Sequence, residues 1–147
     1  MTSDERFMNL AIRLALKGQG KVSPNPMVGA IIVKQGKIIG RGFHCQAGHA
    51  HAEINALRQA GRRARGATLY VTLEPCSSFG KTPPCTDSII KSGIKRVVIA
   101  VRDRNPLNKC AVSILKRKGL KVKTGVLRQK ARALNESYFK FITERKP

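Results

Sequence analysis

The chain has 147 residues, of which 41% are hydrophobic and 25% charged, and its formal net charge is +21. That length and apolar content fit one domain, residues 1–147, with a real core, and exclude both a second domain of ordinary size and an intrinsically disordered chain. No apolar run approaches the ~20 residues that span a bilayer, and the acidic start Thr2-Ser3-Asp4-Glu5 is not the layout of a secretory signal, so a cytoplasmic protein with no membrane role is expected.

Thr2 with Glu5 three residues later predicts a capping box, and Phe7, Leu10, Ala11, Leu14 and Ala15 follow at helical spacing until Gly18. Pro24-Asn25-Pro26 is too rigid for a helix or a central strand. Val28 to Val33 reads as a buried strand, Lys34-Gln35-Gly36-Lys37 as a hairpin turn, and Ile38 to Gly42 as the returning strand. His51 to Ala60 has helical composition with Gly61 as its stop. Ala67 to Leu73 is a third strand, and Cys85 to Ser92 a short helix. Arg96 to Val101 is a continuous apolar run, as expected of a strand covered on both faces. Residues 108–118 predict a helix, Leu120 to Thr124 a strand, and Leu127 to Phe141 a closing helix. Strands alternating with helices predict an α/β sandwich, its inner sheet largely parallel with one early hairpin.

The positive charge is uneven. Residues 1–60 carry 8 basic and 3 acidic groups, residues 61–147 carry 21 and 5. A field of that sign favours anionic partners, although a solvated basic surface gives the same count. Cysteines stand at 45, 76, 85 and 110. With no secretory signal, metal binding or free thiols are the expected uses rather than disulfides, and Cys45 and Cys110 read as ordinary thiols.

Chemistry concentrates in His51-Ala52-Glu53, Pro75-Cys76 and Cys85. One imidazole and two thiolates suit Zn²⁺, and three protein ligands leave a fourth tetrahedral position for water, the pattern of a catalytic site. Zinc lowers the pKa of such a water toward ~7. Glu53, two residues from His51 on the same predicted helix, is placed to carry protons without ligating the metal.

This order of residues is that of the zinc nucleobase deaminases. Eight residues, Ser77 to Pro84, separate the two cysteines, where nucleic-acid deaminases usually have two. That spacing, with Pro24-Asn25-Pro26-Met27-Val28-Gly29, Gly40-Arg41-Gly42-Phe43-His44, Thr72-Leu73-Glu74-Pro75-Cys76 and Asp103-Arg104-Asn105-Pro106, resembles the pyrimidine deaminases of riboflavin biosynthesis, from about Met8 to Asn135. The resemblance implies a three-layer α/β/α sandwich of the cytidine deaminase type, with a five-stranded mixed sheet and helices on both faces. It implies hydrolytic loss of ammonia from a phosphorylated ribosylaminopyrimidine, a diamino-ribosylamino-pyrimidinone 5′-phosphate. One Zn²⁺ per chain would sit on His51, Cys76 and Cys85, and Glu53 would shuttle the proton. Asn25, His44, Ala52, Lys81, Thr82, Asp103 and Asn105 would line the substrate pocket. Read without the family, Asn25 is equally a turn residue between prolines, and His44 a residue at a strand end.

The chain departs from the family at Ser78, where His is usual, at Arg104, where Pro is usual, and after Pro106, where Leu107 to Ala111 lacks the usual glycine. The family's bifunctional form continues into a reductase domain, so the chain is read either as a stand-alone deaminase, which would leave the next step to a separate reductase, or as a divergent or shortened form of the bifunctional protein. The resemblance also implies a homo-oligomer, a dimer or higher. Two alternatives come from the charge. One is a tRNA or single-stranded DNA deaminase gripping nucleic acid through the basic 61–147 surface. Only seven aromatics, none of them Trp, supply stacking platforms for it. The other is an inactive deaminase fold used as a basic binding module, which has no need of all four of His51, Glu53, Cys76 and Cys85.

Overall fold

Helix α1 (Ser3–Ala15) starts on a complete capping box. The Thr2 hydroxyl accepts from the Glu5 amide at 3.1 Å and the Glu5 carboxylate accepts from the Thr2 amide at 2.9 Å. The helix ends at Ala15 and tightens into a 3₁₀ turn, Leu16–Gly18, short of the Gly18 stop expected from periodicity. The computed structural model describes residues 1–22, 25–46, 49–76, 84–103 and 110–136.

Strands β1 (Gly29–Lys34) and β2 (Lys37–Phe43) form the expected hairpin. Its two-residue turn has Gln35 and Gly36 both at positive φ, 51° and 76°, the twist that suits a tight hairpin. Helix α2 (Ala52–Ala60) follows, then β3 (Thr68–Leu73), α3 (Cys85–Ser92), β4 (Arg96–Val101), α4 (Ala111–Arg117), β5 (Lys121–Thr124) and α5 (Arg128–Leu134). The sheet order is β2-β1-β3-β4-β5. The pairs β1/β2 and β1/β3 are antiparallel, and β3/β4 and β4/β5 parallel: the five-stranded mixed sheet is as expected, but it is not the largely parallel sheet that the alternation of strands and helices predicted, because β1 joins β3 antiparallel. Of the predicted closing helix, residues 137–141 lie outside the described residues, as do 108–109 of the helix before it.

Alternation along the strands makes two cores. Ala30, Ile32, Leu69, Val71, Val97 and Ile99 face one side, where Ala52, Ala56, Ile89 and Leu115 of α2, α3 and α4 cover them. Ile31, Val33, Tyr70, Val98 and Ala100 face the other, against Phe7, Met8, Ala11 and Ile12 of α1 and Ala131 of α5. Helix α2 lies unusually close to β2. A Cβ on Gly42 would stand 2.2 Å from the Ala52 carbonyl oxygen and 2.6 Å from the Ala56 nitrogen, so only glycine admits this approach. The edge strand β5 bears exposed Lys121 and Lys123, a charge pattern that opposes edge-to-edge pairing.

Near the start of α1, the Asp4 carboxylate ties that helix to three strands. It accepts from both terminal nitrogens of Arg96, at 3.0 and 2.7 Å, from the Tyr70 hydroxyl at 2.7 Å and from Lys123 Nζ at 3.3 Å. Its pKa is held well below the usual carboxylate range, chiefly by the Arg96 guanidinium. Among the described residues no helix is long and apolar enough to cross a membrane.

Candidate active site

The site lies where β2, β3 and β4 end and α2 begins. His51 occupies the N-cap of α2 in extended backbone (φ −71°, ψ 163°), and its side chain makes no capping hydrogen bond to the helix. Cys76 follows β3 through Glu74-Pro75, and Cys85 opens α3. His51 Nδ1 lies 3.3 Å from Cys85 Sγ and 3.8 Å from Cys76 Sγ, and the three ligand atoms fall within 4.8 Å of one another. Ligands of a tetrahedral zinc, at bonds of ~2.0–2.3 Å, stand about 3.5–3.8 Å apart, so the donor set fits in chemistry and in spacing.

The Cys85 amide donates to Cys76 Sγ at 3.1 Å. Cys76 is the more acidic thiol, because Cys85 and His51 both hydrogen-bond to its sulfur. That same sulfur, with burial, pushes the Cys85 thiol up. Contact with Cys76 also raises the pKa of His51. All four cysteines are free thiols.

Glu53 stands one residue inside α2, only 4% exposed, and burial pushes its carboxyl up to about 7. It shares a cavity of about 160 Å³ with Asn25, His44, His51, Ala52, Cys76 and Asp103. His44 is buried, and its ring is oriented at both nitrogens. Nδ1 meets the Ala50 carbonyl oxygen at 3.2 Å, and Nε2 lies 3.3 Å from Asn25 Nδ2. Donation from Nδ1–H to Ala50 leaves Nε2 to accept from Asn25, so the neutral ring fixes the amide's direction. Burial agrees, since it lowers the His44 pKa. Asn25 and His44 thus hold each other at the cavity.

The structure thus brings His51, Ala52, Glu53, Cys76, Asn25, His44 and Asp103 to one cavity, and sets Cys85 beside His51 and Cys76. Lys81, Thr82 and Asn105 lie outside the described residues, as do Ser78 and Arg104. Sequence reasoning missed two supporting side chains. Glu74, 6% exposed, accepts the Asp103 amide on Oε1 at 3.0 Å and faces Arg102 Nε at 3.6 Å. Asn135 accepts the Met27 amide at 2.7 Å and donates back to the Met27 carbonyl at 2.6 Å, clamping the segment that carries Asn25. A carboxylate one residue before Pro-Cys was the available signal for Glu74. For Asn135, 108 residues from its partner, there was none.

Residues 1–101 match the family model of the cytidine and deoxycytidylate deaminase zinc-binding region. The chain belongs to this zinc deaminase family. Its metal is zinc, which agrees with the His-Cys-Cys set. The deaminase-family chain is 56% identical over 145 residues to riboflavin biosynthesis protein RibD of Aquifex aeolicus, covering 98% of itself and 41% of that protein. It is 49% identical over 138 residues to the diaminohydroxyphosphoribosylamino-pyrimidine deaminase of Buchnera aphidicola subsp. Schizaphis graminum, covering 93% of itself and 94% of that protein. The crystal structure of a Thermotoga maritima diaminohydroxyphosphoribosylaminopyrimidine deaminase joined to a 5-amino-6-(5-phosphoribosylamino)uracil reductase superposes with a TM-score of 0.94 at 49% identity, over 99% of this chain and 42% of that one. The chain therefore spans about two-fifths of the Aquifex and Thermotoga relatives and nearly the whole of the Buchnera protein. Its three-layer sandwich is of the cytidine deaminase type. The nucleic-acid alternative is not favoured by these relatives.

Proposed function

We propose that the chain, as one deaminase domain, hydrolytically removes ammonia from a phosphorylated ribosylaminopyrimidine in riboflavin biosynthesis. The observation that carries the reading is the junction of a zinc-fitting His51-Cys76-Cys85 set with the buried carboxyl of Glu53 in one small cavity. Zinc held by those three residues supplies Lewis-acid activation of water.

Glu53 does the proton work. Its buried carboxyl, which burial makes readier to hold a proton, stands where its Oε can take one from water and deliver it to the departing amine nitrogen. Asn25, held by His44, and Asp103, held by Glu74, present fixed polar groups to the ring edge. The backbone at Ala52 lies against the ring. Lys81, Thr82 and Asn105 complete the pocket in this reading, with Lys81 and Thr82 meeting anionic or ribose oxygens of the substrate. It also includes a cytoplasmic location, self-association of the chain, and a reductase that consumes the product, as the joint names of the relatives suggest.

The test is a substrate panel. The zinc-loaded protein is given the pathway's aminopyrimidine phosphate, cytidine, adenosine and a tRNA pool, and ammonia is followed. Release from the aminopyrimidine phosphate alone is expected. Release only from cytidine, adenosine or tRNA contradicts the reading.

A further inference from the structure

A second cavity, of about 400 Å³, opens beside the first at the ends of β4 and β5. Glu74 and Asp103 are shared between the two. Its wall carries Arg102 from the end of β4, and Arg128 and Arg132 from α5. The two α5 arginines are four residues apart and so lie on one helix face. The Arg128 guanidinium folds back over Gly125, with one nitrogen 3.5 Å from where a Cβ there would stand. Thr124 adds a hydroxyl to the wall. Three arginines and two acidic residues thus line one cavity, and one of the acids, Glu74, is buried with the Asp103 amide and Arg102 on it.

The position suits a ligand, since α/β sheets receive theirs beyond the carboxyl ends of parallel strands. The chemistry suits an oxyanion, because guanidinium forks match the oxygens of a phosphate in pairs. Neither the metal set nor the proton carrier uses these arginines.

We propose that this cavity is a binding site for a phosphate monoester, built on Arg102, Arg128 and Arg132. Two sources share that chemistry: the 5′-phosphate of the proposed substrate, reaching across the Glu74–Asp103 boundary, and a separate phosphorylated molecule. Only the first source rests on the deaminase reading.

Inorganic phosphate titrated calorimetrically into the zinc-loaded full chain tests the site without turnover, so its failure leaves the deaminase reading standing. Saturable binding is expected, with a dissociation constant on the order of 1 mM or lower. The double variant Arg128→Gln with Arg132→Gln is expected to weaken it roughly tenfold or more, about the worth of one charge-assisted hydrogen bond. Should that pair fail to fold, Arg128→Gln alone is expected to lose severalfold. No saturation by about 10 mM phosphate, or equal binding by wild type and variants, overturns the proposal. Kinetics then separates the sources. If the substrate's own phosphate sits here, inorganic phosphate competes with substrate and the variants raise KM. If a separate ligand does, phosphate binds with KM unchanged.

Discussion

Glu74 shows how a residue can matter without touching the chemistry. Its carboxylate is buried and fastens the Asp103 amide, so it acts as a positioning residue for that part of the cleft. Glu74→Ala leaves the part-buried Asp103 N–H without its acceptor, at a cost of about 1 kcal/mol. The expected outcome is a severalfold rise in KM with zinc content intact, whereas Glu74→Gln, which keeps a carbonyl oxygen for the amide, recovers most of the loss. Equal KM values for wild type and the alanine variant would remove Glu74 from the site. At this scale the sequence was most informative about groups with chemistry of their own. The imidazole, the two thiols and Glu53 were legible because few residue types bind zinc or carry protons. Asn135 was not, since an asparagine near the end of a helix says nothing about a partner at Met27.

At the scale of elements, the hairpin and the buried strands were legible because Val28 to Val33, Ala67 to Leu73 and Arg96 to Val101 are apolar runs bounded by turn residues. Helix ends were less so. Helix α1 stops at Ala15 because a 3₁₀ turn takes the next three residues, and α2 begins after His51 because that residue's extended backbone serves the site. The approach of α2 to β2 sets where His51 and Glu53 stand. Gly42→Ala drives a methyl into the Ala52 carbonyl, so α2 must shift. A stability loss of about 1–3 kcal/mol is expected from overpacking, together with weaker zinc retention, read by thermal melting and metal analysis. An unchanged melting temperature would show that α2 yields freely.

The Asp4 cluster joins α1 to β3, β4 and β5, and its effect follows pH. A carboxyl whose folded pKa is depressed contributes stability that is present above its unfolded value of ~3.9 and is lost as pH falls toward the folded one. Arg96 depresses Asp4 in this way. Asp4→Asn is therefore expected to cost about 1–3 kcal/mol near pH 7, the range for hydrogen bonds to charged groups, and the difference from wild type should shrink below about pH 4. Denaturant titrations at several pH values check this, and a constant difference across pH would contradict it.

For the whole molecule the net charge of +21 stands apart from the reaction. Catalysis needs one or two cations, the proposed phosphate cavity three, and most of the rest lie on exposed faces such as β5 and the outer side of α5. Like charges at that density repel one another, and salt screens them over about 8–10 Å. The melting temperature is therefore expected to rise between low and near-physiological salt, measured by scanning calorimetry. A fall would mean that favourable pairs such as Asp4–Arg96 dominate over the repulsion.

The central claim is that zinc and Glu53 divide the work in one cavity. Ammonia release by zinc-loaded Glu53→Gln, with the aminopyrimidine phosphate as substrate, tests it most directly. The account predicts a loss of at least about 10²-fold, the usual worth of a positioned proton carrier, with the metal still near one per chain. Wild-type turnover in that variant would contradict it.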